Sequence, residues 1–244
     1  MSDLQGSVVL VTGSSSGIGE ATVRAFAERG CRLVVNSASS VERGQAVADS
    51  LPEAIYVQGD ISKEADCHAL VAAAVKEWGR LDVLVNNAGT TKVIPHHDLA
   101  AAGEDVWRRS LDVNVIGTWL MSRAAVDALR ATGNGSIINV TSLAGLRPTG
   151  SSIPYAASKA ALNHMTHLLA NVLAPEIRVN AVAPGLVDTP WTADWDVVRG
   201  QYEKTSPLRR VGTAEDVARV CVFLAEAVNT TGEIVLSDGG MTLR

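Results

Sequence analysis

The apolar residues of this chain come in two alternating rhythms. Short aliphatic runs at Val8–Thr12, Arg32–Asn36, Ala54–Gln58 and Asp82–Val85 read as strands. Between them, apolar positions recur every three to four residues, the spacing of one helix face. These stretches predict helices over Gly17–Arg29, with Gly30 as its stop, over Val41–Ser50, and from about Ser62 to Trp78. Ser62 suits the N-cap of the third helix and Gly79 its end. The second half keeps the rhythm. A long helix is expected over Gly103–Arg130, with a break near Gly117. It is followed by a strand at Ser136–Val140, a helix at Pro154–Leu173, a strand at Arg178–Val182, a helix at Thr213–Ala225 and a last strand at Glu233–Ser237.

Seven strands alternating with helices of this length imply βαβ units joined by right-handed crossovers. The expected fold is α/β, a Rossmann-type doubly wound parallel seven-stranded sheet with helices on both faces. Nothing of low complexity divides residues 1–244, so a single nucleotide-binding domain is expected. Its least regular stretch, about 186–207, carries Trp191, Trp195 and Tyr202 and reads as a substrate loop or lid.

Composition narrows the partners. The formal net charge is -5, with no dominant basic patch, which argues against nucleic acid. No run approaches the roughly 18 apolar residues of a membrane span, and Met1–Gly6 lacks a signal-peptide pattern. The three cysteines, Cys31, Cys67 and Cys221, have no metal spacing and read as reduced thiols. A cytoplasmic protein with no membrane partner is expected. The five histidines, including His96-His97 and His164 with His167, lack supporting ligands, so no metal is expected and they read as structural or exposed.

Two short segments carry chemistry. Gly13, Ser15, Ser16, Gly17, Ile18 and Gly19 fall between the first strand and the first helix. Glycines there allow a tight turn, and backbone N–H groups at a helix start favour a pyrophosphate. Further on, Tyr155 and Lys159 stand four apart near the start of a helix, on one face. An isolated tyrosine, with a pKa of about 10, exchanges protons poorly at neutral pH. A neighbouring ammonium favours the phenolate, so the pair suits general acid–base work on an alcohol or carbonyl, although the spacing taken alone is common and fits a solvated helix face better. Ser142, just past the fifth strand, can hold a substrate oxygen beside that proton donor or merely cap a turn. Asn114 sits within the long helix, where asparagine is unfavourable unless its amide has a task.

Asn114, Ser142, Tyr155 and Lys159 resemble, in type, order and spacing, the catalytic tetrad of the short-chain dehydrogenase/reductase family. The glycine loop is similar to that family's cofactor loop. So are Asn86-Asn87-Ala88-Gly89, Asp60, Pro184-Gly185 and Asp238-Gly239-Gly240, which spread the likeness over nearly the whole chain. The resemblance implies hydride transfer between NAD(P)(H) and a small-molecule carbonyl or secondary alcohol. Tyr155 is then the proton donor or acceptor. Lys159 lowers its pKa and binds the nicotinamide ribose, Ser142 polarises the substrate oxygen, and Asn114 holds a water linking Lys159 to solvent. Asp60 and Ile61 are implied at the adenine, Asn87, Ala88 and Gly89 at the adenosine ribose, and Val187 and Thr189 at the carboxamide.

The end of the second strand bears on cofactor choice. The family's acidic position, which binds the ribose 2′-OH and repels a 2′-phosphate, falls on Ser37, within Asn36-Ser37-Ala38. Without an acid there, NADP(H) is expected over NAD(H), with Arg43 a candidate to help. Pro207-Leu208-Arg209-Arg210-Val211-Gly212 and Glu215-Asp216-Val217-Ala218 resemble 3-oxoacyl-[acyl-carrier-protein] reductases and related ketoreductases. Sugar, polyol and steroid dehydrogenases of the family share these segments. The loop before the sixth strand reads Ala174-Pro175-Glu176 and lacks the basic residues of carrier-protein users. A nucleotide sensor without turnover is the reading that loss of Tyr155 or Lys159 would favour, and both are present. Finally, Ala157, Ala160, Ala161, Met165, Leu168, Leu169 and Val172 spread apolar surface round the Tyr155 helix, which predicts a homotetramer or homodimer.

Overall fold

A computed structural model describes residues 3–244, so the reading over Met1–Gly6 begins on two residues outside this range. The elements run β1 (Val8–Val11), α1 (Gly17–Ala27), β2 (Arg32–Ser37), α2 (Val41–Asp49), β3 (Ala54–Gln58), α3 (Glu64–Trp78), β4 (Val83–Asn86) and α4 (Glu104–Leu111). They continue with α5 (Thr118–Arg130), β5 (Gly135–Val140), α6 (Ile153–Leu173), β6 (Ile177–Pro184), β7 (Val187–Asp188), α7 (Asp196–Thr205), β8 (Gly212–Thr213), α8 (Ala214–Glu226) and β9 (Ile234–Ser237). The main sheet has seven strands in the order β3-β2-β1-β4-β5-β6-β9, all parallel. The chain leaves β1 toward β2 and β3, then returns to the other side of β1 for β4. The crevice between β1 and β4, at the carboxyl ends of the strands, is where such sheets bind ligands.

The central strands feed two cores because alternate side chains point to opposite faces. Val9 and Val11 pack with Val23 and Phe26 of α1, Val47 of α2, and Val217 and Val222 of α8. Val8 and Leu10 pack with Leu70 of α3, Met121 and Leu129 of α5, and Leu169 of α6. Helices therefore cover both faces. The continuous aliphatic runs of β1 and β4 follow from this double burial.

Several local expectations are corrected. Ser62 does not cap α3. Its N–H and hydroxyl both donate to Asp60 Oδ1, at 3.0 and 2.7 Å, and Lys63 takes the cap position instead. Serine's short side chain bonds its own neighbouring backbone or a nearby acid as readily as a helix end. Gly79 does end α3, in a left-handed conformation at φ 75°. The long helix is not broken at Gly117. Residues Asp112–Gly117 form a π-helical segment joining α4 to α5. The stretch 186–207 is more regular than expected, since it contains β7, a 3₁₀ turn at Pro190–Thr192 and the whole of α7. Among the described residues, no helix is long and apolar enough to cross a membrane.

The outer face of α6 is also more mixed than expected. Leu169 turns into the core. Ala160, Ala161, Leu168 and Val172 are exposed, with His164 and His167 between them.

Candidate active site

One cavity of about 1140 Å³ opens at the carboxyl ends of the strands. Its wall runs from the loop after β1, past the ends of β2 and β4, to the start of α6 and the segment between β6 and α7. Every residue expected to hold the cofactor lies on it except Gly19. A side chain at Gly19 would collide with the Gly13 carbonyl and the Asn87 amide, so this glycine permits close packing rather than ligand contact. Gly13 and Gly17 take positive φ, 62° and 56°, a region open chiefly to glycine.

The loop between β1 and α1 is held from behind. Asn87 donates through Nδ2 to the carbonyls of Thr12 and Gly13, both at 2.9 Å. Thr12 Oγ1 accepts from the N–H groups of Asn87 and Ala88 at 3.1 and 3.0 Å. Asn36 is spent the same way: its Oδ1 accepts from Gly13 N–H at 3.1 Å, and its Nδ2 donates to the carbonyls of Val57 and Gly59. Ser16 is the N-cap of α1 but makes no side-chain capping bond. The helix start thus meets the cavity with its positive end uncapped by a side chain, a fit for a diphosphate.

Ser37 lines the wall and shares a hydrogen bond of 2.9 Å with Tyr56 Oη. No acid stands at that end of β2. Arg43 is exposed and off the cavity wall. At the neighbouring Asp60, burial pushes the carboxyl up. Ser62, Arg109 and Lys63 more than offset this and leave it below the usual carboxylate range. Arg109 itself lines the cavity and was not foreseen. Its only sequence signal is its place on the helix leading to Asn114.

At the other end, α6 carries Tyr155 and Lys159 onto the wall. Ser152 starts this helix by accepting from Tyr155 N–H at 3.4 Å. Lys159 Nζ lies 5.8 Å from the centroid of the Tyr155 ring and donates to the Val140 carbonyl at 2.8 Å. Burial lowers the Lys159 pKa to about 8. Burial raises the Tyr155 phenol, and the facing Ser142 hydroxyl opposes that rise. Burial sets the direction, and the phenol is held as an acid. Ser142 keeps its capping role as well, accepting from Ala144 N–H at 3.1 Å.

Asn114 is not on the wall. It sits in the π-helical segment, where such distortions often accompany functional residues. Its amide accepts from Thr90 N–H at 2.8 Å and donates to the Thr90 carbonyl and to Ser158 Oγ, at 3.0 and 2.9 Å. Ser158 in turn donates to the Tyr155 carbonyl at 2.7 Å. Asn114 thus braces the loop after β4 against the turn of α6 that bears Tyr155 and Lys159.

The segment around α7 closes the far side, with Trp191, Trp195 and Tyr202 on the wall. Tyr202 Oη donates to the Asp238 carbonyl at 2.5 Å, and a side chain at Gly185 would occupy the place of that hydroxyl. Asp238 also holds its own turn, accepting from the N–H groups of Gly240 and Thr242. The Pro184-Gly185 and Asp238-Gly239-Gly240 motifs therefore anchor α7. His97 is exposed, and His96 is half-buried on the cavity wall. Among the described residues, no group of three or more His, Cys, Asp and Glu could hold a metal.

Residues 13–242 match the family described as enoyl-(acyl carrier protein) reductase. The chain is 54% identical over 239 residues to ketoacyl reductase 2 of the granaticin polyketide synthase of Streptomyces violaceoruber, covering 97% of this chain and 96% of that one. It is 38% identical over 242 residues to cis-4-hydroxycyclohexanecarboxylate dehydrogenase of Sinomonas cyclohexanicum, covering 96% of each. Its fold superposes with a TM-score of 0.91 on the crystal structure of a short-chain dehydrogenase/reductase from Burkholderia xenovorans, at 39% identity and covering 98% and 99% of the two chains. With likeness of this extent joined to one cavity that gathers the glycine loop, Ser142, Tyr155 and Lys159, the chain belongs to the short-chain dehydrogenase/reductase family and is an oxidoreductase acting on CH–OH groups.

Proposed function

We propose that the protein reduces the ketone of a 3-oxoacyl-type substrate with NADPH, and that Tyr155 is the acid. The observation that carries this reading is the shared cavity, whose wall joins the β1–α1 loop to Ser142, Tyr155 and Lys159. The nicotinamide, when bound, supplies the hydride. Gly13, Ser15, Ser16, Gly17 and Ile18 would hold the diphosphate, Asp60 and Ile61 the adenine, and Val187 and Thr189 the carboxamide. Ser142 and Tyr155 grip the ketone oxygen from one side. As negative charge develops on that oxygen, the Tyr155 phenol donates its proton, and the nearby Lys159 ammonium stabilises the phenolate left behind. Asn114 keeps the loop after β4 and the Tyr155 turn in register.

NADPH is favoured because Ser37 puts no carboxylate where a 2′-phosphate would lie. The 3-oxoacyl class is favoured by the 54% identical relative, described as a ketoacyl reductase. The 38% identical dehydrogenase of an alicyclic hydroxy acid supports a second reading, oxidation of a ring alcohol by the same machinery. The segment 186–207 serves as the substrate lid, and the enzyme works as a homodimer or homotetramer in the cytoplasm.

The test is steady-state turnover with β-keto esters and cyclic ketones, each with NADPH and NADH. Wild type is expected to show the larger kcat/KM with NADPH. Tyr155→Phe should retain cofactor affinity and lose about 10²–10⁴ in kcat, the usual worth of a general acid. A folded Tyr155→Phe enzyme with wild-type turnover contradicts the assignment of the acid. A preference for NADH contradicts the reading of Ser37.

A further inference from the structure

The core beneath α5 and α6 is mostly aliphatic, but one line of polar side chains crosses it. Asn86 of β4 and Asn139 of β5 stand opposite each other in register. Asn86 Nδ2 donates to Asn139 Oδ1 at 2.9 Å and to Ser122 Oγ of α5 at 3.0 Å. Asn139 Nδ2 donates to Thr166 Oγ1 of α6 at 2.9 Å, and Thr166 Oγ1 donates to the Leu162 carbonyl at 2.9 Å. Asn86, Ser122, Asn139 and Thr166 are all buried. Buried amides and hydroxyls gain little over aliphatic groups of the same shape, because they give up their hydrogen bonds to water. What a connected polar line adds is one fixed arrangement among those that aliphatic packing alone would allow.

The group this arrangement places is the ammonium of Lys159. Asn139 is followed by Val140, whose carbonyl accepts from Lys159 Nζ at 2.8 Å. Among the described residues, that carbonyl is the hydrogen-bond acceptor the ammonium has. Thr166 follows Lys159 by two turns, on the same buried side of α6. Consecutive residues of β5 therefore hold α6 at two points, Asn139 through Thr166 and Val140 through Lys159. The first hold sets where the carbonyl of the second lies relative to the ammonium. The other elements packed there present neutral groups: a side chain at Gly89, in the loop after β4, would touch both Lys159 Nζ and Asn114 Oδ1 of the π-helical segment. The titratable neighbour of the ammonium is Tyr155 of its own helix, with the ring centroid 5.8 Å away.

We propose that Asn139 is a positioning residue for Lys159: by bridging Asn86 to Thr166 it sets the Val140 carbonyl against the ammonium and so holds the charge beside Tyr155. Its consequence for turnover rests on the reading of Tyr155 as the acid given above, whereas the placement of the ammonium does not. A polar line that only filled the core would change stability when broken and leave the Lys159 proton alone. One that places the carbonyl changes how tightly Lys159 holds that proton, since a hydrogen bond to the charged form favours it.

The test is the titration of Lys159 itself in the cofactor-free protein, followed by NMR of lysine isotope-labelled at Cε. Lysine occurs only as Lys63, Lys76, Lys92, Lys159 and Lys204, so the spectrum is simple, and Lys159→Met assigns the buried one. Asn139→Leu, Thr166→Val and Thr166→Ser are compared with wild type, with urea unfolding recorded for each. The expected result is a Lys159 midpoint lower by about one pH unit in Asn139→Leu and Thr166→Val. Thr166→Ser keeps the hydroxyl and should titrate close to wild type, as should the remaining lysines in every variant. The alkaline fall of kcat/KM for ethyl acetoacetate with NADPH should move with the midpoint. A Lys159 midpoint equal to wild type's in folded Thr166→Val, whatever its loss of stability, overturns the proposal. So does a Thr166→Ser midpoint displaced as far as that of Thr166→Val. Displaced midpoints in proteins that reduce no ketone, wild type included, support the placement of Lys159 and count against the ketoreductase reading. Should Asn139→Leu fail to fold, the two Thr166 variants decide.

Discussion

Lys159 shows how one residue's burial sets a chemical property. The residue is 4% exposed, its ammonium donates to the Val140 carbonyl, and its pKa falls from 10.5 to about 8 because burial penalises the charged form. The unfolded chain keeps this proton up to about pH 10.4, whereas the folded protein releases it near 8. Between those values the unfolded state binds more protons, so this group makes stability rise with pH across that window. Below about pH 8 both states are protonated and the cost of the buried charge stands in full. The stability of cofactor-free wild type, measured against Lys159→Met by urea unfolding, is therefore expected to climb between pH 8 and 10. A difference that is flat over this range contradicts the shift. The same titration predicts that kcat/KM for reduction falls above about pH 8, as the ammonium beside Tyr155 is lost.

Among the elements, α8 depends on a cation from a neighbouring strand. Arg178 of β6 is buried without a carboxylate partner among the described residues. Its guanidinium donates instead to the carbonyls of Leu224, Ala225 and Ala227, at 2.8, 2.7 and 3.0 Å. These lie at the carboxyl end of α8, where carbonyls lack helical partners and the helix dipole is negative. Burial lowers the Arg178 pKa, yet a guanidinium stays charged at any ordinary pH. Arg178→Leu is expected to destabilise the fold by about 2–4 kcal/mol, because buried carbonyls are left unpaired. Arg178→Lys should recover only part, lacking the planar fork. A urea midpoint for Arg178→Leu equal to wild type's shows that the cap contributes nothing. α6 offers the contrasting case of tight packing: a side chain on Gly145 would lie 2.7 Å from the Lys159 backbone carbon. Glycine is what lets the Ser142 turn rest on α6.

For the whole molecule, the open question is what covers α5 and α6. Ile116 and Trp119 are 47% and 43% exposed, and Leu168 and Val172 are 55% and 66% exposed. Apolar residues of this size on helices lining one face of the sheet mark a candidate contact between copies. His164 and His167 interrupt that surface, with ring centroids 6.4 Å apart, so the contact is less purely apolar than the alternation of alanines suggests. Light scattering at micromolar concentration is expected to give a dimer or tetramer. Trp119→Glu together with Leu168→Glu should shift it toward monomer, by placing charges in a closed interface. A wild-type monomer with full activity counts against the interface altogether.

The amino-acid sequence by itself determined the strand-and-helix rhythm, because runs buried on both faces must be aliphatic and helices must carry one apolar stripe. The seven strands of the main sheet were legible for that reason, and so were the glycine loop and the Tyr155–Lys159 pair, whose spacing is local. Only the tertiary structure decided matters that depend on partners distant along the chain. Ser62 turned to Asp60 rather than to the end of α3, Gly19 proved a packing glycine, and Asn36 was spent on Gly13. Asn114 became a brace through Thr90 and Ser158, and burial set the direction of the Tyr155 pKa against the hydrogen bond of Ser142. His96 and Arg109 came to the cavity wall with almost no local signal, since a side chain's access to a cavity is fixed by how separate loops close around it.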